Sequence, residues 1–390
     1  MKIYYVYDGC APKTYRALIE NRGMRVQQQS QKYNQLLMEG LVHNGVHVQA
    51  VSSRPVNRSV SSKWLFGGKQ EHEAGIDYYY VPFVNFPVLR NLSVFFSVLN
   101  YLLFSRDRDV ERVVVCDALN IAASSAAVLA AKILRIKCVG IITDVPCHRP
   151  DSERPPKRER FNLWLMKQFD RYLLLTEQMN QLVNPRRKPY IVMEGHVDTE
   201  MVHRDNKLEK KARKKVCLYA GSLRQVYGIE NLVLGFIAAD VPDSELHIYG
   251  NGDFEKRLEE LAAQYPSVKY LGVAPNEKIV EEEIRATLLI NPRPTEAEYT
   301  KYSFPSKNME YMATGTPTLT TCLPGMPEEY KKYVYLIEDE SASGVGEVIR
   351  KILAKSPAEL HEKGMQARRY VLEEKNNASQ AKRLLRLIRL

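Results

Sequence analysis

A chain of 390 residues is too long for one compact core and suits two domains of ordinary size. An apolar share of 45% and a charged share of 26% describe a water-soluble globular chain, and no apolar run reaches the length of a membrane-spanning helix. The net charge of +10 is uneven: Lys+Arg exceed Asp+Glu by 8 in residues 1–200 and by 2 in the remainder. That surplus suits an anionic partner (a phosphate-bearing ligand, nucleic acid or membrane surface) or simply a solvated basic surface.

The start of the chain runs directly into a strand-like segment without a secretory leader pattern. Its six cysteines, at positions 10, 116, 138, 147, 217 and 322, are scattered and never form C-x-x-C. A cytoplasmic protein with reduced, structural cysteines is therefore expected, without a disulfide framework or zinc site.

In chain order, apolar strand patterns fall at 2–7, 46–52, 77–82, 112–116, 137–143, 171–176 and 190–193. Helical periodicity separates them at 31–41, 121–134 and 159–167. Residues 86–104 are unusually apolar and carry one charge, Arg90. They suit a buried core helix or a hydrophobic face for a lipid-linked acceptor. Pro87, Arg90, Asn91 and Asn100 interrupt the run, which disfavours a membrane span. Residues 198–215, with a basic run from Lys210 to Lys215, read as a solvated linker.

A second series follows, with strands at 216–220, 245–250, 268–272, 286–291, 316–321 and 334–337. Helices at 229–239, 254–264, 277–283 and 306–313 lie between them. Two series of βα units predict an α/β fold with two Rossmann-like, doubly wound domains, residues 1–200 and 201–375. Uneven spacing of the units speaks against an eightfold barrel. The tail, 376–390, predicts a basic amphipathic helix that packs on the body or lies on an anionic membrane.

Three turns in the second series carry the chemistry. The strand from Val216 ends at Gly221, followed by Ser222, Arg224 and a second glycine, Gly228. The strand ending at Tyr249 runs into Gly250, Asn251 and Gly252. Glycine turns at the carboxyl ends of strands are where doubly wound folds bind ligands, although many βα turns carry glycine for geometry alone. The third turn is more specific. Ser303, Phe304 and Pro305 lead into a short helix opened by Ser306 and Lys307 and closed by Gly315. Free N–H groups and the positive dipole end, with the Ser306 hydroxyl and the Lys307 ammonium beside them, make a diphosphate cradle. Glu310 lies one turn further along the same face and can accept hydrogen bonds from ribose hydroxyls. An ordinary capped helix with surface Lys and Glu is the plainer alternative.

Together these motifs resemble the donor domain of GT-B-fold retaining glycosyltransferases of the family-4 type, many of which build bacterial exopolysaccharides and other glycans. The likeness runs from Val216 to about Arg369 and includes the Gly221 loop, the Gly250–Gly252 turn, the strand to Asn291-Pro292, and Phe304 to Pro317. In the first half, Thr143-Asp144 with Pro146 resembles the family's segment at the interdomain cleft, and Glu194 to Thr199 the segment that closes the first domain. The resemblance implies two domains facing across a cleft, the nucleotide sugar held mainly by the second and the acceptor by the first. It also implies transfer with retention to a hydroxyl of a glycan or lipid-linked acceptor.

Two departures stand out. The family's loop carries an Arg directly after the first glycine and a Lys before the second, where this chain has Ser222 and Tyr227. Arg224 and Lys307 are then the cations expected to neutralise phosphate. The family also has two glutamates eight positions apart; Glu310 matches the second, and the first falls on Tyr302. Glu298 is the candidate replacement, if its loop folds back. Asp144 is the candidate to orient or deprotonate the acceptor hydroxyl, or else an N-capping turn residue. Asp107 and Asp109 have D-x-D spacing but precede a strand, and the eight histidines show no ligand spacing, so neither metal nor other cofactor is expected. The first-half loops at 9–25 and 150–160 are expected to set acceptor choice. Peripheral contact with an anionic membrane is admitted, and nucleic acid is not expected, since no aromatic-basic module is present. A nucleotide-sugar epimerase and a non-catalytic membrane-associated assembly protein of the same fold are the rival readings.

Overall fold

The computed structural model describes residues 1–22, 28–58, 61–105, 110–146 and 157–390. Asp107, Asp109, Cys147 and parts of both acceptor-choice loops (23–25 and 150–156) lie outside the described residues. Two compact units divide the chain: Met1–His196 with Asn377–Leu390, and Val197–Asn376.

The first unit holds β1 (Lys2–Val6), β2 (His47–Ser52), β3 (Leu65–Phe66), β4 (Lys69–Glu73), β5 (Ile76–Tyr80), β6 (Phe83–Val84), β7 (Arg112–Asp117), β8 (Lys137–Ile142), β9 (Arg171–Leu174) and β10 (Tyr190–Val192). Its main sheet has the order β10-β9-β8-β7-β1-β2-β5-β4. Every pairing is parallel except the antiparallel β4–β5 edge. The central strands are buried along their whole length, as β1 is from Lys2 to Val6, because helices cover both faces. β4 reads Lys-Gln-Glu-His-Glu and shows no apolar alternation, so periodicity cannot find it; such a charged edge guards a sheet against stray pairing.

The helix Leu89–Phe104 buries one stripe, Val94, Val98 and Leu102, at a spacing of four. The buried-core reading of this segment therefore holds for a single face; Leu89, Leu92, Phe96 and Phe104 are exposed. Among the described residues no helix is long and apolar enough to cross a membrane. The tail helix Asn377–Arg389 seats Ala381, Leu384, Leu385, Leu387 and Ile388 in the core of this unit. Lys137 donates to the Ile388 carbonyl at 2.8 Å and Arg171 to that of Leu387 at 2.9 Å, a basic cap on the helix C-terminus.

The second unit holds β11 (Lys215–Ala220), β12 (Ser244–Tyr249), β13 (Val268–Tyr270), β14 (Leu288–Asn291), β15 (Thr318–Thr321) and β16 (Tyr335–Ile337). They form one parallel sheet in the order β13-β12-β11-β14-β15-β16. Strand order reverses between β11 and β14, which opens a crevice at their carboxyl ends. Residues 198–215 are more than the solvated linker expected. Asn206 is buried and donates to the Thr314 carbonyl at 2.7 Å. Lys211 reaches the carbonyls of Ile284 (2.7 Å) and Ala286 (3.0 Å) at the end of the helix Asn276–Arg285, and Thr316 Oγ1 at 2.8 Å. Burial pushes its ammonium pKa down to about 7. A carbonyl-rich helix end needs a donor, and one lysine of the basic run supplies it.

Candidate active site

The crevice of the second unit is built on glycine. The Gly221 N–H donates to the Tyr249 carbonyl and the Leu223 N–H to that of Asn251, each at 2.9 Å, zipping the loop after β11 onto the loop after β12. A Cβ at Gly250, where φ is +134°, would stand 1.7 Å from the Gly221 carbonyl oxygen, and one at Gly252 would stand 2.4 Å from the Leu223 backbone. Only glycine permits this approach. The hydroxyl of Tyr219 closes the loop by donating to the Ser222 carbonyl at 2.8 Å. Ser222, Arg224 and Gly252 remain exposed.

Helix Ser306–Thr314 brings its N-terminus to the same place. Asn291 at the end of β14 donates to Asn308 Oδ1 at 2.7 Å, and the Tyr311 hydroxyl meets the Ala220 N–H at 3.0 Å. Pro305 is the N-cap, no side chain caps the first turn, and Gly315 makes the left-handed exit at φ 78°. The consequence is visible at Lys307: its Nζ lies 2.5 Å from where a Gly221 Cβ would be, and 5.9 Å from the Tyr219 ring centroid. Gly221, Lys307 and an uncapped helix terminus thus share one small volume. Ser306 is exposed and Glu310 half-buried one turn further along the helix. Phe304 is buried and tilts against Tyr330 at 5.0 Å, so its side chain anchors the turn.

Arg293, between Pro292 and Pro294 just past β14, was not singled out by sequence. Its guanidinium sits 4.4 Å from the Tyr227 ring centroid, and Arg224 sits 5.5 Å from the same ring. Arg293 also donates to Ser303 Oγ at 3.0 Å, tying this loop to the turn that opens the helix. Burial raises the pKa of Tyr299 while Arg293 and Arg224 oppose it, a mark of one shared electrostatic neighbourhood. The available signal was positional: a proline-flanked cation at the carboxyl end of a switch-point strand.

Glu298 opens the short 3-10 helix Glu298–Tyr302 and is exposed; Tyr302 ends the same helix. Asp144 follows β8 in the first unit and is exposed; its Oδ1 accepts the Val145 N–H at 2.8 Å, and desolvation by the surrounding protein outweighs that bond and raises its pKa. Among the described residues, no three His, Cys, Asp or Glu side chains converge on a metal-sized point.

Residues 203–387 match the family model described as Glycosyl transferases group 1. No curated protein sequence matches the chain. Among solved structures, a glycosyltransferase from Rickettsia africae is similar with a TM-score of 0.69 at 14% identity, covering 100% of this chain and 98% of that one. Sucrose-phosphate synthase from Thermosynechococcus elongatus is similar with a TM-score of 0.64 at 15% identity, covering 100% and 98%. HepE from Anabaena, crystallised with UDP, has a TM-score of 0.64 at 12% identity and full coverage of both chains. The chain thus has the GT-B fold of two Rossmann-like domains, and its residues 203–387 match the glycosyl transferases group 1 model.

Proposed function

We propose that this chain transfers a sugar from a nucleoside-diphosphate sugar to a hydroxyl of a glycan or lipid-linked acceptor, with the second unit holding the donor. The observation that carries the reading is Lys307 folded over Gly221 at an uncapped helix N-terminus. Backbone N–H groups, a helix dipole and an ammonium converge where a diphosphate would lie. When the anomeric bond breaks, negative charge grows on the departing phosphate, and preorganised donors lower that barrier. Arg224 and Arg293, both at the Tyr227 ring, supply cations where the family's loop pattern has its Arg and Lys. Glu310 is assigned to the ribose hydroxyls, Glu298 to the position that Tyr302 cannot serve, and Asp144 to the acceptor hydroxyl. Transfer is read as retaining and metal-independent. The exposed Trp64, Leu65, Val88 and Phe96, with Arg58 4.5 Å from the Trp64 ring centroid, support peripheral contact with an anionic membrane.

A thermal-shift panel of UDP, GDP, dTDP, CDP and ADP tests the donor site. One nucleotide should raise the melting midpoint in proportion to the logarithm of its concentration. Lys307→Ala should abolish that shift without lowering the midpoint of the free protein. A flat response to all five nucleotides would sink the reading.

A further inference from the structure

The chain passes between its two units twice, after His196 and after Asn376. On the side of the second unit the two passages are bonded to each other. The Val197 N–H donates to the Lys375 carbonyl at 3.0 Å, and Val197 and Asn376 form an isolated parallel bridge. Lys375 follows the helix Pro357–Glu374, and its own N–H donates to the Val371 carbonyl at 3.1 Å. Its backbone is therefore held from both sides.

The Lys375 side chain turns inward from this point, and only 7% of it is exposed. A lysine is rarely buried to that degree unless its charge is paired. Here the ammonium donates to Glu329 Oε1 at 2.6 Å and stands 5.2 Å from the Tyr330 ring centroid and 5.8 Å from that of Tyr370. Both distances lie within reach of the attraction between a cation and a ring face. The Tyr370 hydroxyl donates to the same Glu329 oxygen at 2.7 Å, and the Tyr370 ring meets Tyr330 edge-on at 5.6 Å. Lys375 thus sits in a box of two tyrosines closed by one carboxylate.

Tyr330 is the wall that this box shares with the proposed donor site. It is wholly buried, its ring tilts against Phe304 at 5.0 Å, and its hydroxyl lies 4.0 Å from Met309 Sδ. Phe304 and Met309 flank Ser306 and Lys307 in the chain, so one ring supports the segment on both sides of Lys307. No side chain caps the helix Ser306–Thr314. Where its N-terminus stands is set by this packing together with the Asn291, Arg293 and Tyr311 bonds described above. Close-packed side chains pass small displacements on. The path from Lys375 through Tyr330 to Phe304 and Met309 is continuous and lies within the second unit.

We propose that Lys375 and Tyr330 are positioning residues for the donor site, holding residues 304–309 so that the Lys307 ammonium stands at Gly221. The proposal rests on the transferase reading and adds to it a dependence on side chains beside the passage between units.

The test uses the full chain with Lys375→Met, which keeps side-chain length and packing but removes the charge, and Lys375→Arg, which keeps the charge. Amide hydrogen exchange read by mass spectrometry should quicken about threefold or more over residues 304–309 in Lys375→Met, and stay unchanged over 216–224. Nucleoside-diphosphate release at saturating nucleotide sugar should fall about tenfold in Lys375→Met, since a slight misplacement of a positioned group is costly. Lys375→Arg should restore most of both. The double variant with Lys307→Ala should be no slower than Lys307→Ala alone, because an absent lysine cannot be displaced. Glu329→Gln, at a half-exposed position, should shift exchange and release in the same direction about threefold, and it decides the matter should Lys375→Met fail to fold. Unchanged exchange over 304–309, a loss that Arg does not repair, or a loss that adds to that of Lys307→Ala overturns the proposal. Failure of the unaltered chain to release any nucleoside diphosphate counts against the transferase reading instead, and the exchange result still decides whether the box fixes the turn.

Discussion

At the scale of single residues, two glycines of one seam do different work. The nearest atoms a Cβ at Gly221 would meet are the far end of the Lys307 side chain and, at 3.1 Å, the Tyr219 hydroxyl. A flexible lysine can move, so Gly221→Ala should keep the melting midpoint and lose nucleotide affinity about tenfold or more, because the displaced cation is the proposed phosphate ligand. At Gly250 the obstacle is the Gly221 carbonyl, and φ is +134°. Backbone cannot swing aside, and Gly250→Ala should lower stability itself by at least about 1–3 kcal/mol. Chemical denaturation and nucleotide titration of the two variants separate these effects. Equal loss of stability in both would show that Gly221 is only a packing residue.

At the scale of elements, legibility followed the physics of each signal. The parallel strands read well because burial on both faces leaves unbroken apolar runs, as in β7 and β14. The strand-end turns of the second unit read well as turns because glycine, proline and a helix-opening Ser-Lys pair each leave a local mark. β4 did not, since a charged edge strand has no apolar period. Nor did the buried face of Leu89–Phe104, because an all-round apolar sequence cannot say which stripe is covered. Lys211 was hidden in a run of like charges; its partners lie about 75 to 105 residues further along the chain. Arg293 was invisible as a site residue until Tyr227 and Ser303 came to it through the fold. The tail helix yields a prediction at this scale. Leu384, Leu385, Leu387 and Ile388 are all buried in the first unit's core. At about 1.5–3 kcal/mol for each such side chain, removing Asn377–Leu390 costs a large part of a domain's ordinary stability. The truncated chain should show a first unit that is unfolded or readily proteolysed at 25 °C. A trypsin-resistant first unit with an unchanged midpoint would contradict that account.

At the scale of the whole molecule, the sheet of each unit presents a switch point at the carboxyl ends of its parallel strands. The second unit offers three cations and an uncapped helix terminus around a glycine seam, suited to a diphosphate. In the first, Asp8, Arg90 and Arg158 line a recess together with Leu92, Phe95 and Phe161. The most direct test is to incubate the purified chain with UDP-, GDP-, dTDP-, CDP- and ADP-sugars and measure release of the nucleoside diphosphate. The account predicts release from sugars of one nucleotide, by transfer to an added acceptor or slowly to water, reduced about a hundredfold or more in Lys307→Ala. A folded protein that releases no nucleoside diphosphate from any of them, with or without acceptor, would contradict it.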